Sequence, residues 1–334
     1  MKAVVLVGGF GTRLRPLTAD VPKQMLPVVD RPMIEHVLAG LHRYGVDEAV
    51  LALGYQPDAF IDAYPDGHCA GVSLVYAVEP EPLDTAGAIR FAAGEAGIDE
   101  RFIAVNGDVF TDLDLGELVA FHDHAGAEAS ISLTPVDDPS RYGVVPTDDD
   151  GRVLGFIEKP PAGEAPTNWI NAGSYVLEAS VLDRIDPGRP VSIERETFPA
   201  IVDDGRLYAK GSDAYWVDAG TAATYIQVQV DLVSGARELV LPAIAADARC
   251  AADATIEHSV IGAAAEVASG ARVDGSVVGE RARIGADATV KDSVVAAGAV
   301  IGQGAVVADG SIIGTGQEVA AGATLREARI PAEG

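Results

Sequence analysis

Met1–Pro27 reads MKAVVLVGGFGTRLRPLTADVPKQMLP. The apolar run Ala3–Val7 predicts a buried strand, and it breaks into Gly8-Gly9-Phe10-Gly11-Thr12-Arg13. Glycines directly after a strand let backbone N–H groups approach an anion closely, and Arg13, Arg15 and Lys23 follow to neutralise it. The stretch has the makings of a polyphosphate cradle. It is not the GxxxxGK[ST] loop, since no Lys-Ser or Lys-Thr follows the glycines. It is not a dinucleotide fingerprint either, because the third glycine at the required offset is missing.

Further along, short apolar runs at Ala49–Leu53, Val72–Val78 and Phe102–Val105 alternate with helix-like segments. From Pro32 to Tyr44 the residues Met33, Ile34, Val37, Leu38 and Leu41 fall on one helical face, with Pro32 suited to the first turn and Gly45 to the stop. This alternation predicts an α/β domain built on a largely parallel sheet, whose ligands sit at the carboxyl ends of the strands. Residues 127–175 are richer in strand and turn signals, which reads as an extension of the sheet bearing a substrate-facing lobe. A last helix is expected over Thr221–Leu232.

Beyond Gly235 the pattern changes. Ile244, Cys250, Ile256, Ile261, Val267, Val273, Val278, Ile284, Val290 and Val295 open a series of branched or apolar residues at steps of six, sometimes five. Ile301, Val307, Ile313, Val319, Leu325 and Ile330 continue it, with Gly, Ala, Asp and Ser between. A six-residue period of this kind predicts a hexapeptide parallel β-helix. A disordered Gly/Ala-rich tail would not place an aliphatic at nearly every sixth residue. The domains expected are therefore 1–235, the α/β domain, and 244–334, the β-helix.

The chain has 334 residues, enough for two domains with sizeable cores. Its net charge of −26 argues against nucleic acid as a partner. No apolar run approaches a membrane span, and the N-terminus carries no signal-peptide pattern. Cys69 and Cys250 stand far apart, which suits two free thiols in a reducing cytoplasm. Within residues 1–24 the balance reverses, with four cations, Lys2, Arg13, Arg15 and Lys23, against Asp20 alone. Positive charge therefore gathers where the glycines are, as a small polyanionic substrate requires.

The combination GGxGTRLRPLT with PKQxLP resembles the signature of the sugar-1-phosphate nucleotidylyltransferases, and most closely their mannose-1-phosphate guanylyltransferase branch. The resemblance spans essentially the whole chain and implies a Rossmann-like nucleotidyltransferase domain followed by a left-handed parallel β-helix of about five coils. It implies that Val7, Gly8, Gly9, Gly11, Thr12, Arg13, Lys23, Leu83, Asp84, Thr85, Gly87, Gly107 and Asp108 bind the nucleotide. Asp108 in VNGDV and Asp218 in YWVDAGT match the family's metal-binding aspartates. Read alone, they would be a turn residue and a helix cap; as a pair they suit Mg²⁺, which one or two carboxylates hold together with substrate phosphates.

In Phe156-Ile157-Glu158-Lys159-Pro160 the resemblance directs Lys159 at the sugar phosphate and Glu158 at sugar hydroxyls, chemistry that fits an ammonium and a carboxylate. It adds Asn171 and Gly173 of the Asn-Ala-Gly segment, the backbone amide of Gly143, Arg195 of Ser192-Ile193-Glu194-Arg195, and Asp218 on the sugar-phosphate side. The segment from Ser192 also reads as a capped helix start. Where such enzymes commonly read PLGTAG, this chain has Pro82-Leu83-Asp84-Thr85-Ala86-Gly87. Asp84 either caps the helix that follows or offers its carboxylate to the two adjacent N–H donors of guanine.

The reaction implied joins a nucleoside triphosphate and a sugar 1-phosphate, giving a nucleotide sugar and pyrophosphate. GTP and mannose 1-phosphate are the substrates expected, Arg13, Lys23 and Lys159 the catalytic residues, and Mg²⁺ the cofactor. A homo-oligomer through the β-helix is expected, with no nucleic acid or membrane partner. Three rivals are weaker. An acyltransferase needs a catalytic histidine on the β-helix, where only His258 stands, at an expected coil corner. A non-catalytic regulatory paralogue would have lost Arg13, Lys23, Asp108, Lys159 or Asp218. A glucose-1-phosphate thymidylyltransferase is favoured by Lys23-Gln24 alone.

Overall fold

A computed structural model describes residues 1–54, 56–237 and 239–332. The chain divides into two compact units, one formed by Met1–Gly9 and Ile34–Trp216, the other by Phe10–Met33 and the residues from Val217 on.

The first unit is built on a ten-stranded sheet. Its strands are β1 (Lys2–Leu6), β2 (Glu48–Leu53), β3 (His68–Cys69), β4 (Val72–Val78), β5 (Phe102–Asn106), β6 (Ala129–Pro135), β7 (Gly143–Val144), β8 (Ile157–Glu158), β9 (Trp169–Leu177) and β10 (Leu207–Gly211). The order runs β8-β7-β9-β5-β1-β2-β4-β3, with β6 also paired to β9 and β10 to β6. The parallel centre, β5-β1-β2-β4, is in register through Val5↔Val105, Val5↔Leu51 and Leu51↔Tyr76. Its strands are runs of Val, Ile, Leu and Ala because both faces of a parallel sheet are covered; Val4, Val5, Val50 and Ala104 are fully buried.

Helices α1 (Met33–Arg43), α2 (Asp84–Glu95) and α3 (Leu115–Ala125) alternate with these strands. This gives the parallel α/β arrangement that the alternation predicts and the Rossmann-like domain that the resemblance implies. On α1, Ile34, Leu38 and Leu41 are buried and Val37 half-buried, as the period requires. Pro32, however, lies outside the helix, in a short strand that pairs with Pro27–Val28. The strand-rich middle extends the sheet antiparallel: β9 runs against both β5 and β6. The core beneath it includes Tyr175 and Phe198, stacked edge to face at 5.3 Å between ring centroids.

Helix α4 (Phe198–Asp203) closes the helices of the first unit; in the second, α5 (Ala222–Ser234) is the helix expected from Thr221. Thr221 caps it through a reciprocal bond set with Thr224. The chain then winds into three all-parallel, five-stranded sheets, the faces of a left-handed parallel β-helix. Register advances by one coil at a time, Ile256↔Val273↔Val290↔Val307. The six-step aliphatics Ile261, Val267, Val273, Val278, Ile284, Val290, Val295, Ile301, Val307, Ile313 and Val319 all line the buried axis. Cys250, Ile256, Leu325 and Ile330, at the ends of the prism, are only partly covered. A serine ladder runs along one edge, Ser276 N donating to Ser259 Oγ at 3.0 Å and Ser293 N to Ser276 Oγ at 3.1 Å. It satisfies backbone groups that the turn would otherwise bury unpaired.

The glycine-arginine segment belongs to this second unit. Val29 N donates to Gln229 Oε1 at 3.0 Å and Tyr225 Oη to the Pro27 carbonyl, so α5 holds the segment's far end. The ring of Pro16 lies on the bare face of Gly314, where a Cβ would come within 3.1 Å of Pro16 Cγ.

Candidate active site

Within the first unit, the carboxyl ends of the central strands converge. Val7 N donates to the Ala52 carbonyl, and Gly107 N to the Leu6 carbonyl at 2.9 Å. Gly107 admits no side chain: a Cβ would lie 2.6 Å from Val7 Cγ1 and 2.9 Å from Leu6 O. The turn that follows carries Asp108. A Cβ on Gly8 would come 3.6 Å from Glu79 Oε1, which places that carboxylate beside the first glycines of the cradle.

Glu79 was not among the residues expected from the sequence. Its Oε2 accepts from Leu83 N at 2.9 Å, tying the end of β4 to the start of the Leu83–Gly87 loop. Burial raises its pKa above the usual carboxylate value. Its signal in the sequence was slight, one acid among several in Glu79-Pro80-Glu81.

Asp84 is the first residue of α2 and holds φ at +58°. Its Oδ1 accepts from Thr85 N at 2.7 Å, and its Oδ2 from Arg195 Nη2 at 2.6 Å. Leu83 occupies the cap position, and no side chain caps it. Asp84 therefore steadies the helix start from inside the first turn. Thr85 Oγ1 bonds Glu194 and accepts from Ile193 N, and Ala86 N and Gly87 N donate to the Val191 carbonyl. The Leu83–Gly87 loop and the segment around Arg195 are thus one bonded structure. The segment starts as expected, with Ser192 Oγ accepting from Arg195 N before a helical turn that leads into α4.

A third group of expected residues gathers on β7, β8 and β9. Gly143 pairs with Glu158, and a Cβ there would strike the Phe156 ring at 2.6 Å. Lys159 N donates to the Tyr142 carbonyl, and its side chain, about two-thirds exposed, lies 2.8 Å from Glu158. Asn171-Ala172-Gly173 forms an irregularity in β9, where the pairing with β6 shifts register. Gly173 has φ +74°, and a Cβ would sit 2.5 Å from Asn106 Nδ2. The Asn171 amide braces this bulge, donating to Tyr175 Oη at 2.8 Å and accepting from Gly173 N at 2.9 Å. Trp216 Nε1 donates to the Ala172 carbonyl, and its ring meets that of Tyr142 edge-on.

Within the second unit, Thr18 Oγ1 donates to the Gly11 carbonyl at 2.8 Å and closes the loop on itself. Thr12–Leu14 and Lys23–Met25 form single helical turns; Leu14 is buried and Lys23 only 7% exposed. A lysine this enclosed is paired rather than solvated. Gly220 leaves an open face against which Arg13 and Asp218 both lie: its Cβ would be 2.6 Å from Arg13 Nη2 and 2.8 Å from Asp218 Oδ1. Arg13 and Asp218, remote in sequence, are thus brought together. Among the described residues no three His, Cys, Asp or Glu side chains cluster as a metal cage. His258 stands on an exposed corner 3.4 Å from Asp274, as expected of a surface residue.

The family model described as Nucleotidyl transferase matches residues 2–235, and that described as GMPPB C-terminal domain matches residues 241–333. A curated mannose-1-phosphate guanylyltransferase of Mycobacterium tuberculosis is 43% identical over 235 residues, which are 70% of this chain and 65% of the relative. A probable mannose-1-phosphate guanylyltransferase 2 of Arabidopsis thaliana is 44% identical over 233 residues, 68% of this chain and 63% of the relative. The chain thus spans a little under two thirds of the length of these relatives. The crystal structure of HddC from Yersinia pseudotuberculosis complexed with GMP-PN matches at a TM-score of 0.59 and 30% identity, over 68% of this chain and 97% of that one.

Proposed function

The chain belongs to the nucleotidyl transferase family, and from that premise we propose that it transfers GMP from GTP to mannose 1-phosphate. A phosphate oxygen of mannose 1-phosphate attacks the α-phosphorus in line, the bond to the bridging oxygen breaks, and pyrophosphate leaves as GDP-mannose forms. The names of the relatives support this reading, and residues 1–235 and 244–334 serve as its catalytic and β-helix domains.

The observation that carries the choice of base is Glu79. Its carboxylate, fixed by Leu83 N–H beside Gly8, suits the two adjacent N–H donors on the Watson–Crick edge of guanine. Thymine and uracil present one N–H between two carbonyls, and a carboxylate repels the latter. This assigns to Glu79 the part that the sequence suggested for Asp84, whose oxygens are engaged by Thr85 and Arg195.

The remaining roles follow the chemistry of each group. The glycines at 8, 9 and 11 and Thr12 line the triphosphate with backbone donors, and Arg13 and Lys23 neutralise charge on the leaving pyrophosphate. Lys159 orients the sugar phosphate, with Glu158, Asn171, Gly143 and Gly173 shaping the place of the sugar. Asp108 and Asp218 have the donor chemistry for Mg²⁺, which would neutralise phosphate charge there. Self-association through the β-helix and a reducing cytoplasm, in keeping with free Cys69 and Cys250, complete the proposal.

Pyrophosphate release across GTP, dTTP, UTP and ATP, each with mannose, glucose and N-acetylglucosamine 1-phosphates, tests it. Turnover should peak with GTP and mannose 1-phosphate. Glu79→Gln should lower kcat/KM for GTP about 10–100-fold while changing that for UTP far less, the scale of one charged hydrogen-bond pair. Release with dTTP and glucose 1-phosphate would make the chain a thymidylyltransferase; release with no pair would make it a non-catalytic paralogue.

A further inference from the structure

Asp84 stands where the backbone favours glycine. With φ at +58° its Cβ crowds its own backbone, a conformation that aspartate tolerates only with local help. Two bonds supply it, Thr85 N to Oδ1 and Arg195 Nη2 to Oδ2 at 2.6 Å. The first is made within the helix start itself. The second comes from 111 residues away and is the one ion pair among the bonds linking the Leu83–Gly87 loop to the segment from Arg189 to Thr197. The guanidinium side chain is 66% exposed, so the pair adds little to global stability. Its leverage is local. Leu83, next to Asp84, donates the N–H that fixes Glu79.

We propose that Arg195 is a positioning residue for the nucleotide: by pairing with Asp84 it holds the left-handed turn that keeps Leu83 N–H on the Glu79 carboxylate. Arg195 then acts on base recognition through Asp84, rather than on the sugar phosphate. The inference rests on the reading of Glu79 as the group that meets the base. Glycine at position 84 would adopt the same turn unaided, so the need for Arg195 should vanish once Asp84 is glycine.

The test is a double-mutant cycle of Arg195→Ala and Asp84→Gly in the full chain, with Asp84→Asn as a second background. KM is measured separately for GTP and for mannose 1-phosphate, and amide hydrogen exchange is followed at Thr85–Gly87 without substrate. Arg195→Ala alone should raise the KM for GTP about 3- to 10-fold, the range of a coupled contact pair, and speed exchange at these amides. It should leave the KM for mannose 1-phosphate within about twofold. In the Asp84→Gly background Arg195→Ala should change neither quantity, and Asp84→Asn should remove most of the coupling. Equal losses in all backgrounds, or a rise confined to the mannose 1-phosphate KM, would overturn the proposal and return Arg195 to the sugar phosphate. The exchange cycle decides the coupling even if no substrate pair turns over. Coupled exchange without catalysis would count against the proposed reaction alone, and uncoupled exchange in an active enzyme against Arg195.

Discussion

A Cβ added at Gly279 of the β-helix would lie 2.8 Å from the backbone nitrogen of Ala297, one coil on, whereas one added at Gly107 of the sheet would lie 2.6 Å from Val7 Cγ1. Both positions exclude a side chain, for different reasons. On the β-helix the obstacle recurs: Gly262 meets Glu280 N, and Gly302 meets Ala321 N, in the same way. At the sheet rim every obstacle is particular: Gly107 meets Val7, Gly143 meets Phe156, and Gly173 meets Asn106. Repetition builds a scaffold whose parts are interchangeable. The rim gathers singular contacts, and Gly143 and Gly173, for which a place around the sugar is proposed, stand there. The segment Phe10–Met33 of the second unit shows both manners of building, Arg13 meeting Asp218 over Gly220 and the Pro16 ring lying against Gly314.

The sharpest break in this contrast would come from Lys23→Ala. Loss of a preorganised, enclosed charge should cut kcat about 10²–10³-fold with the fold intact by circular dichroism. Undiminished turnover would remove Lys23 from the chemistry. Ile301→Ala, on the β-helix axis, should do the reverse. It should cost about 2–5 kcal/mol in the denaturant unfolding of the β-helix, while kcat at low temperature stays close to that of the parent.

Two glycine variants sharpen the comparison. Gly107→Ala and Gly279→Ala should each destabilise by about 1–3 kcal/mol through overpacking, measured as shifts in denaturation midpoint. Only Gly107→Ala should also lower kcat/KM. Equal kinetic losses in both would mean that the scaffold and the rim are not separable.

The smallest expected effect concerns Glu128, 1% exposed and bonded by Arg184 Nε and Nη2 at 2.6 and 2.8 Å. The hydrogen bonds from Arg184 hold its carboxyl below the usual carboxylate range. A depressed folded-state pKa contributes stability that is complete above the unfolded value, near pH 4.3, and is lost as pH falls through the folded value. Glu128→Gln should therefore lower Tm at pH 7 by an amount corresponding to about 1–2 kcal/mol, and the gap should narrow as pH falls below about 4.3. A gap that does not change with pH in that range would point to packing instead.

How far each region could be read in advance follows the same contrast. The axis residues from Ile261 to Val319 declared themselves by period alone, and so did the face of α1 and the strand Val72–Val78. Arg13 and Lys23 stood out because they follow glycines that break an apolar strand, whereas Asp108 and Lys159 stood out only through the resemblance of their motifs to the family's. Glu79 did not, since nothing in Glu79-Pro80-Glu81 distinguishes one acid from its neighbour until Leu83 N–H selects it. Pro32 misled because a proline before a helix serves equally well to end a short strand.

The sequence by itself determined the elements, the order of the α/β region and the β-helix, and the kinds of charge proposed to face the substrates. These depend on contacts between residues a few positions apart, or on a repeat that writes the same contact many times. Only the tertiary structure decided that Asp84 answers to Arg195, that Glu79 stands beside Gly8, that Arg13 meets Asp218 over Gly220, and that Pro16 rests on Gly314. Each of these contacts is made once, between distant residues, and a contact made once leaves no periodic mark along a single chain.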